Sequence, residues 1–251
     1  MPRRTRIILI LLVVCMLIVG TITLVSRSDS TASVSGATAK ATKQKPASAT
    51  NFASASFNKT RLSRTDPGSI WVVVNKHHPL SQLSYAPTDL TAVGNGQYLR
   101  AEAATALARM LSDAKQAGLT ITPASAYRSY TTQVTVYNRE VATNGQAVAD
   151  SQSARPGYSE HQTGFGVDLA GGGCYIEDCF GETAEGKWAA DNAYKYGYIL
   201  RYTPDDTPIT GYRAESWHFR YVGVDLAAEL RKQKVATLEE FFGISGGADY
   251  R

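Results

Sequence analysis

Ten residues constrain this chain more than any other stretch: Ser159-Glu160-His161-Gln162-Thr163-Gly164-Phe165-Gly166-Val167-Asp168. Phe165, Val167 and Leu169 alternate with smaller or polar residues, the period of a short strand. That places His161 on the loop entering the strand and Asp168 near its far end. A second cluster, Glu215-Ser216-Trp217-His218, follows about fifty residues later. If the fold joins the two, it assembles two imidazoles and a carboxylate, with a further carboxylate to spare. Three protein ligands with one position left open is the arrangement of a catalytic zinc, and the spare carboxylate can then act as general base. Each residue alone has an ordinary reading: a surface or core histidine, a turn aspartate, a carboxylate on a loop. The combination of the two clusters carries the expectation.

The same residues carry a resemblance. Ser159-x-His161-x-x-Gly164-x-Gly166-x-Asp168 followed by Glu215-x-Trp217-His218 resembles the VanY-type D-alanyl-D-alanine carboxypeptidases, within the wider lysostaphin, DD-carboxypeptidase and hedgehog-like zinc peptidase fold. Val74-Asn75-Lys76 with Pro79-Leu80, then Tyr85-x-Pro87-x-Asp89-Leu90, is similar to that family's entry segment. Ser125-Ala126-Tyr127-Arg128-Ser129 with Gln133 is similar to its substrate-arginine motif. The likeness covers about residues 70–233. Gly166 and Ser216 depart from it, standing where Ala and Pro are frequent. Neither is a ligand, so they bear on fine geometry only.

The resemblance implies that His161, Asp168 and His218 bind Zn²⁺ and that Glu215 is the general base. It implies that Arg128, whose planar guanidinium can grip an oxyanion or a carboxylate by paired hydrogen bonds, supports catalysis and holds the substrate. Gln133 and Ser159 are expected to make polar contacts to the peptide. Trp217 and Tyr127 suit the cleft wall or the core, the core being the commoner place. The implied activity is a zinc-dependent D,D-carboxypeptidase that removes the terminal D-Ala from peptidoglycan stem peptides. The alternatives are an L,D-carboxypeptidase or a wall endopeptidase and, from another class, a non-catalytic wall-binding module with a structural zinc. A metal-free scaffold tethered to a partner is a third reading. A structural site needs no base and usually closes its fourth position, so Glu215 separates the classes.

The N-terminus begins with Arg3, Arg4 and Arg6, and residues 7–25 are almost wholly apolar. That length spans a bilayer as a helix, and the one-sided arginines favour a cytoplasmic N-terminus with the rest of the chain exported. A cleaved signal peptide is the rival, but Gly20-Thr21-Ile22-Thr23 lacks the small-residue cleavage pattern. Residues 26–61 are rich in Ser, Thr, Ala and Lys without apolar period, so they read as a flexible tether. Residues 62–251 then form one domain. The first 50 residues hold seven Lys or Arg against Asp29, a net +6. The whole chain is +4, which leaves −2 for the remainder. The domain therefore has no basic footprint for nucleic acid. A monomer is expected, with the wall peptide and the membrane as its partners.

Within the domain, residues 70–74 read as a strand and 100–117 as a helix closed by Gly118. Strand 119–122 leads into Ser125–Arg128, and a helix follows through Gln133, Val136, Tyr137 and Glu140, ending near Asn144-Gly145, with a further short helix over 147–154. A helix over 185–196, strands over 198–202 and 217–221, a helix over 224–234 and an apolar tail over 238–242 complete the list. Helices and short strands without regular alternation indicate α+β, a small antiparallel sheet flanked by helices. Cys174 and Cys179 are the only cysteines in the domain. Export permits a disulfide there, closing a small loop just after the metal strand; a metal pair is the other reading.

Overall fold

Phe57 packs against Trp71 and Phe241, with ring centroids 5.5 and 5.6 Å apart, so core packing begins within the segment expected to be a tether. The computed structural model describes residues 56–251. The expected membrane span at 7–25 and nearly all of the tether lie outside the described residues. Among the described residues no helix is long and apolar enough to cross a membrane.

Residues 70–74 are not a strand, contrary to expectation. Their side chains do alternate, with Trp71 and Val73 in one apolar cluster and Val72 and Val74 in another. Among the described residues their backbone has no ladder partner, however. The Arg220 guanidinium donates to the carbonyls of Ile70 and Val72 at 3.1 and 2.9 Å, and Val73 N–H donates to Arg64. A buried side chain and a loop thus satisfy the groups that a neighbouring strand would have taken.

Next comes a hairpin that the apolar pattern did not suggest, β1 (Leu90–Gly94) and β2 (Gln97–Arg100). Its signal was the Asn95-Gly96 pair, both with positive φ, the usual two-residue hairpin turn. α1 (Ala101–Gln116) follows, then β3 (Ile121–Ser125), α2 (Tyr130–Asn144), α3 (Gln146–Gln152) and β4 (Gly166–Gly171). β5 (Cys174–Tyr175) is a short return strand. α4 (Ala184–Asn192) runs on as a 3₁₀ turn to Tyr196. β6 (Tyr198–Tyr202), the short α5 (Thr207–Thr210) and β7 (Glu215–Tyr221) come next. The chain closes with α6 (Val224–Gln233) and α7 (Leu238–Phe242), the last of these being the apolar tail.

The main sheet runs β3-β4-β7-β6, every pairing antiparallel, with β5 pairing β4 beyond the end of β7. The α+β class is as expected. Side chains alternate across a sheet, and here the two faces differ in chemistry. Val167 and Leu169 of β4, Phe219 and Tyr221 of β7 and Tyr198 of β6 pack with Ala103, Leu107 and Met110 of α1. The opposite face carries Asp168, His218, Arg220 and Arg201, all buried. Ile199 on that face joins α6 and α7 in a second cluster with Leu226, Leu230, Leu238 and Phe241. The charged face is therefore enclosed by helices and loops and has to satisfy its charges internally.

Candidate active site

Strand register brings the two sequence clusters together. In the β4–β7 ladder Asp168 lies directly opposite His218, and in the β3–β4 ladder it lies opposite Ser125. A carboxylate and an imidazole fifty residues apart thus become a cross-strand pair, with His218 Nδ1 3.0 Å from Asp168 Oδ1. His161 arrives from a single 3₁₀ turn, Glu160–Thr163, and puts Nε2 3.3 Å from Asp168 Oδ2. The two imidazoles meet edge to face, with centroids 4.9 Å apart.

Two glycines allow that turn to fold back over β4. Gly164 closes it in the left-handed conformation (φ 74°), where a Cβ would also lie 2.8 Å from Arg100 Cγ. A Cβ on Gly166 would sit 3.3 Å from the backbone of Glu160 and His161, tighter than ordinary contact. The departure at Gly166 thus accompanies a close seating of the histidine turn on the strand. Ser216, the other departure, accepts a hydrogen bond from Gly181 N–H at 3.0 Å.

The donor set suits a metal. One atom each from His161, Asp168 and His218 can lie within 4.8 Å of one another, and all three residues are buried. His161 Nδ1 lies 2.7 Å from the Ala126 carbonyl, so Nδ1–H donates there and Nε2 is left bare. His218 Nε2 lies 3.3 Å from Glu160 Oε2, which leaves Nδ1 facing Asp168. Two imidazole nitrogens and a carboxylate oxygen converging on one point match what zinc takes. Burial lowers the pKa of His161 by more than Asp168 raises it, keeping the ring neutral and able to ligate. Burial would raise Asp168, but His161 and His218 outweigh it and hold the carboxyl well below the usual range. Burial likewise opposes protonation of His218, yet its hydrogen bonds with Asp168 and Glu160 prevail and push it up to about 10 in the metal-free protein.

Glu215 opens β7, and its Oε2 lies 3.7 Å from His218 Nδ1. Burial pushes its carboxyl up to about 7, the range in which a carboxylate can both take and return a proton. Arg128 follows β3 just before Ser129, which caps α2 by accepting from Thr132 N–H. Its backbone N–H donates to the His161 carbonyl, and its Nη2 stands 3.9 Å from Asp168 Oδ2. Arg128, Ser159, His161, Asp168, Glu215 and His218 all line one cleft of about 220 Å³.

Gln133 is not on the cleft surface. It is fully buried, accepting from Arg128 Nη1 at 2.8 Å and donating to the Ala154 carbonyl at 2.7 Å. It fixes the guanidinium of Arg128, while Ser159, the other residue expected to meet a peptide, is also buried but lines the cleft. Trp217 serves both expected places, packed in the core and edging the cleft. Cys174 and Cys179 form a disulfide, and Ile176 inside its loop lines the cleft.

Sequence reasoning passed over four buried charges behind the site. Glu160 Oε1 accepts from Arg201 Nε at 2.9 Å and Arg220 Nη1 at 3.0 Å. The remaining nitrogens of Arg201 form a two-pronged pair with Glu239 at 2.9 and 2.7 Å, and Asn75 also donates to Glu239. Their signal was present: single arginines inside otherwise apolar strands, Tyr198-Ile-Leu-Arg-Tyr202 and Trp217-His-Phe-Arg-Tyr221, cannot face an apolar core without carboxylate partners.

Known proteins resemble this chain. Residues 96–224 match the family model of VanY, D-alanyl-D-alanine carboxypeptidase. The putative carboxypeptidase YodJ of Bacillus subtilis (strain 168) is 40% identical over 188 residues, covering 70% of this chain and 68% of that protein. The solved LdcB LD-carboxypeptidase is 39% identical, with a TM-score of 0.66 over 71% of this chain and 88% of that one. A mutant of the vancomycin resistance D,D-pentapeptidase VanY, solved in complex with Zn(II), is 30% identical, with a TM-score of 0.60 over 69% of this chain and 98% of that one. These likenesses set aside the non-catalytic wall-binding module. The chain belongs to the VanY family and is one of its carboxypeptidases, enzymes of a zinc metallopeptidase family.

Proposed function

We propose that this enzyme is a zinc-dependent D,D-carboxypeptidase that removes the terminal D-Ala from peptidoglycan stem peptides. The observation that carries the reading is Glu215, a largely buried carboxylate whose Oε2 lies 3.7 Å from His218 Nδ1 of the His161–Asp168–His218 ligand set, in the same cleft as Arg128. Zinc bound there would supply Lewis acidity to the scissile carbonyl and to the attacking water. Glu215 takes the proton of that water and returns it to the leaving amine, a task suited to a carboxyl poised near 7. Arg128, locked by Gln133 and by Ser125 Oγ at 3.0 Å, offers fixed N–H donors to the oxyanion or to the terminal carboxylate. A cleft of about 220 Å³ suits the end of a peptide better than a whole bulky ligand.

A second reading, L,D-carboxypeptidase, draws on the greater identity to LdcB, 39% against 30% for the VanY D,D-pentapeptidase. The two differ in the residue preceding the terminal D-Ala, and mass analysis of the products separates them. On the first reading the zinc-loaded enzyme shortens a pentapeptide ending in D-Ala-D-Ala by one residue and leaves the tetrapeptide untouched. Release of D-Ala from the tetrapeptide alone would establish the L,D reading in its place.

The site of action we propose is the outer face of the cell membrane, with residues 7–25 as an uncleaved anchor. The apolar run and the flanking Arg3, Arg4 and Arg6 support it. Cell fractionation should find the full-length chain in the membrane. A soluble mature form whose N-terminus falls between residues 20 and 40 would identify the segment as a signal peptide instead.

A further inference from the structure

We infer that Glu160 is a positioning residue of the metal centre, fixing which nitrogen of His218 faces the metal, and that Arg201 and Arg220 hold Glu160 for that purpose. The inference rests on the zinc reading of the site. The two oxygens of Glu160 are divided between two tasks. Oε1 takes both arginines, from Arg201 Nε and Arg220 Nη1, at 2.9 and 3.0 Å. Among the described residues Oε2 has one hydrogen-bond partner, His218 Nε2, at 3.3 Å. A carboxylate is acceptor-only, so the ring must present Nε2–H to it, and Nδ1 is the nitrogen turned towards Asp168 and the metal, free to ligate once its own proton has left. Rotation of the ring is blocked on the other side, where Tyr202 packs with its centroid 5.1 Å away.

Stability alone is a poor reason for such an arrangement. Glu160, Arg201, Arg220 and Glu239 are all 2% exposed or less, and two carboxylates against two guanidinia make the quartet neutral. Burying four charges is costly, and apolar replacements of similar volume serve stability as well or better. What apolar side chains could not do is orient an imidazole. Arg220 also ties the quartet to the 70–72 backbone, and Glu239 ties it to α7 through Arg201. The carboxylate that orients His218 is thereby anchored to three separate parts of the chain.

Glu160→Gln tests this. An amide has one acceptor oxygen. If that oxygen stays with the two arginines, the NH₂ group confronts His218 Nε2–H, donor against donor, and the ring is driven to the tautomer that carries its proton on Nδ1. Chelator competition on the full-length protein should show zinc affinity lowered 10–100-fold, the usual effect of losing a partner that orients a ligand. Glu239→Gln removes a charge from the same quartet without touching His218. It should lower the melting temperature of the metal-free protein and change zinc affinity less than about threefold, well below the orienting effect. Equal losses of affinity in the two variants, or wild-type affinity in Glu160→Gln, would overturn the inference.

A measurement on the wild type covers the case in which Glu160→Gln fails to fold. In the zinc-loaded protein, ¹⁵N spectra should find His218 protonated at Nε2 and metal-bound through Nδ1. Binding through Nε2 would overturn the proposal. Wild-type protein that binds no zinc at all would remove the metal reading beneath it, a result distinct from either variant's.

Discussion

Glu215→Gln should lower turnover of a D-Ala-terminated wall peptide roughly 10²–10⁴-fold, the usual worth of a positioned acid–base group. Zinc content and cooperative unfolding should stay near wild type. The amide keeps the shape and hydrogen-bonding reach of the carboxylate, and Glu215 is outside the group His161, Asp168 and His218 that converges on the metal position. What it loses is the capacity to hold a proton. Burial pushes the Glu215 carboxyl up to about 7 in the metal-free protein. A base must be ionised to act, so kcat/KM should rise with pH along an acid limb. Positive charge in the loaded site can only lower that carboxyl, which places the limb at or below about pH 7. The variant should lose the limb together with the rate. Full activity with full zinc in the same sample would sink the mechanism. Loss of zinc along with activity would reassign Glu215 to shaping the site.

The ligands were legible in the sequence because their spacing is set locally. His161 and Asp168 sit on one turn and the strand after it, and the alternation of Phe165, Val167 and Leu169 already fixes which side of the sheet Asp168 takes. Glu215 and His218 share β7. What joins the two clusters, Asp168 opposite His218, is a matter of register between strands fifty residues apart, and no local pattern contains it. Gln133 shows the complementary limit. Its place near Arg128 was readable from the motif, but its full burial depends on how α2 packs against the Ala154 segment. The Glu160 quartet draws on four separate segments, and only the oddity of arginines inside apolar strands hinted at it. Residues 70–74 failed for the opposite reason. Alternation reports burial on two sides, and a side chain such as Arg220 can satisfy an extended segment without a ladder.

Asp168→Asn should abolish stoichiometric zinc binding and activity together, an effect larger than the 10–100-fold of losing a supporting residue. Asp168 is the centre of the site: Oδ1 meets His218 at 3.0 Å, Oδ2 meets His161 at 3.3 Å, and Arg128 stands 3.9 Å away. The amide removes the one anionic ligand of the set. It also removes a main support for the proton on His218, and that gives the prediction a second readout. In the metal-free wild type His218 is pushed up to about 10, against 6.5 for an unperturbed histidine. Between those values the folded, metal-free protein carries a proton that zinc has to displace. Calorimetric titration at pH 8 in buffers of different ionisation enthalpy should therefore report about one proton released per zinc, and affinity should rise about tenfold per pH unit up to about 10. The same shift sets the sign for the metal-free fold. A raised pKa contributes stability that is complete below about 6.5 and is lost as pH rises through about 10. Asp168→Asn should flatten that alkaline loss, because the hydrogen bond that favours the imidazolium is weakened. Zinc uptake at pH 8 with no proton release would show that His218 is already neutral in the metal-free protein, and stoichiometric zinc in Asp168→Asn would remove Asp168 from the ligand set.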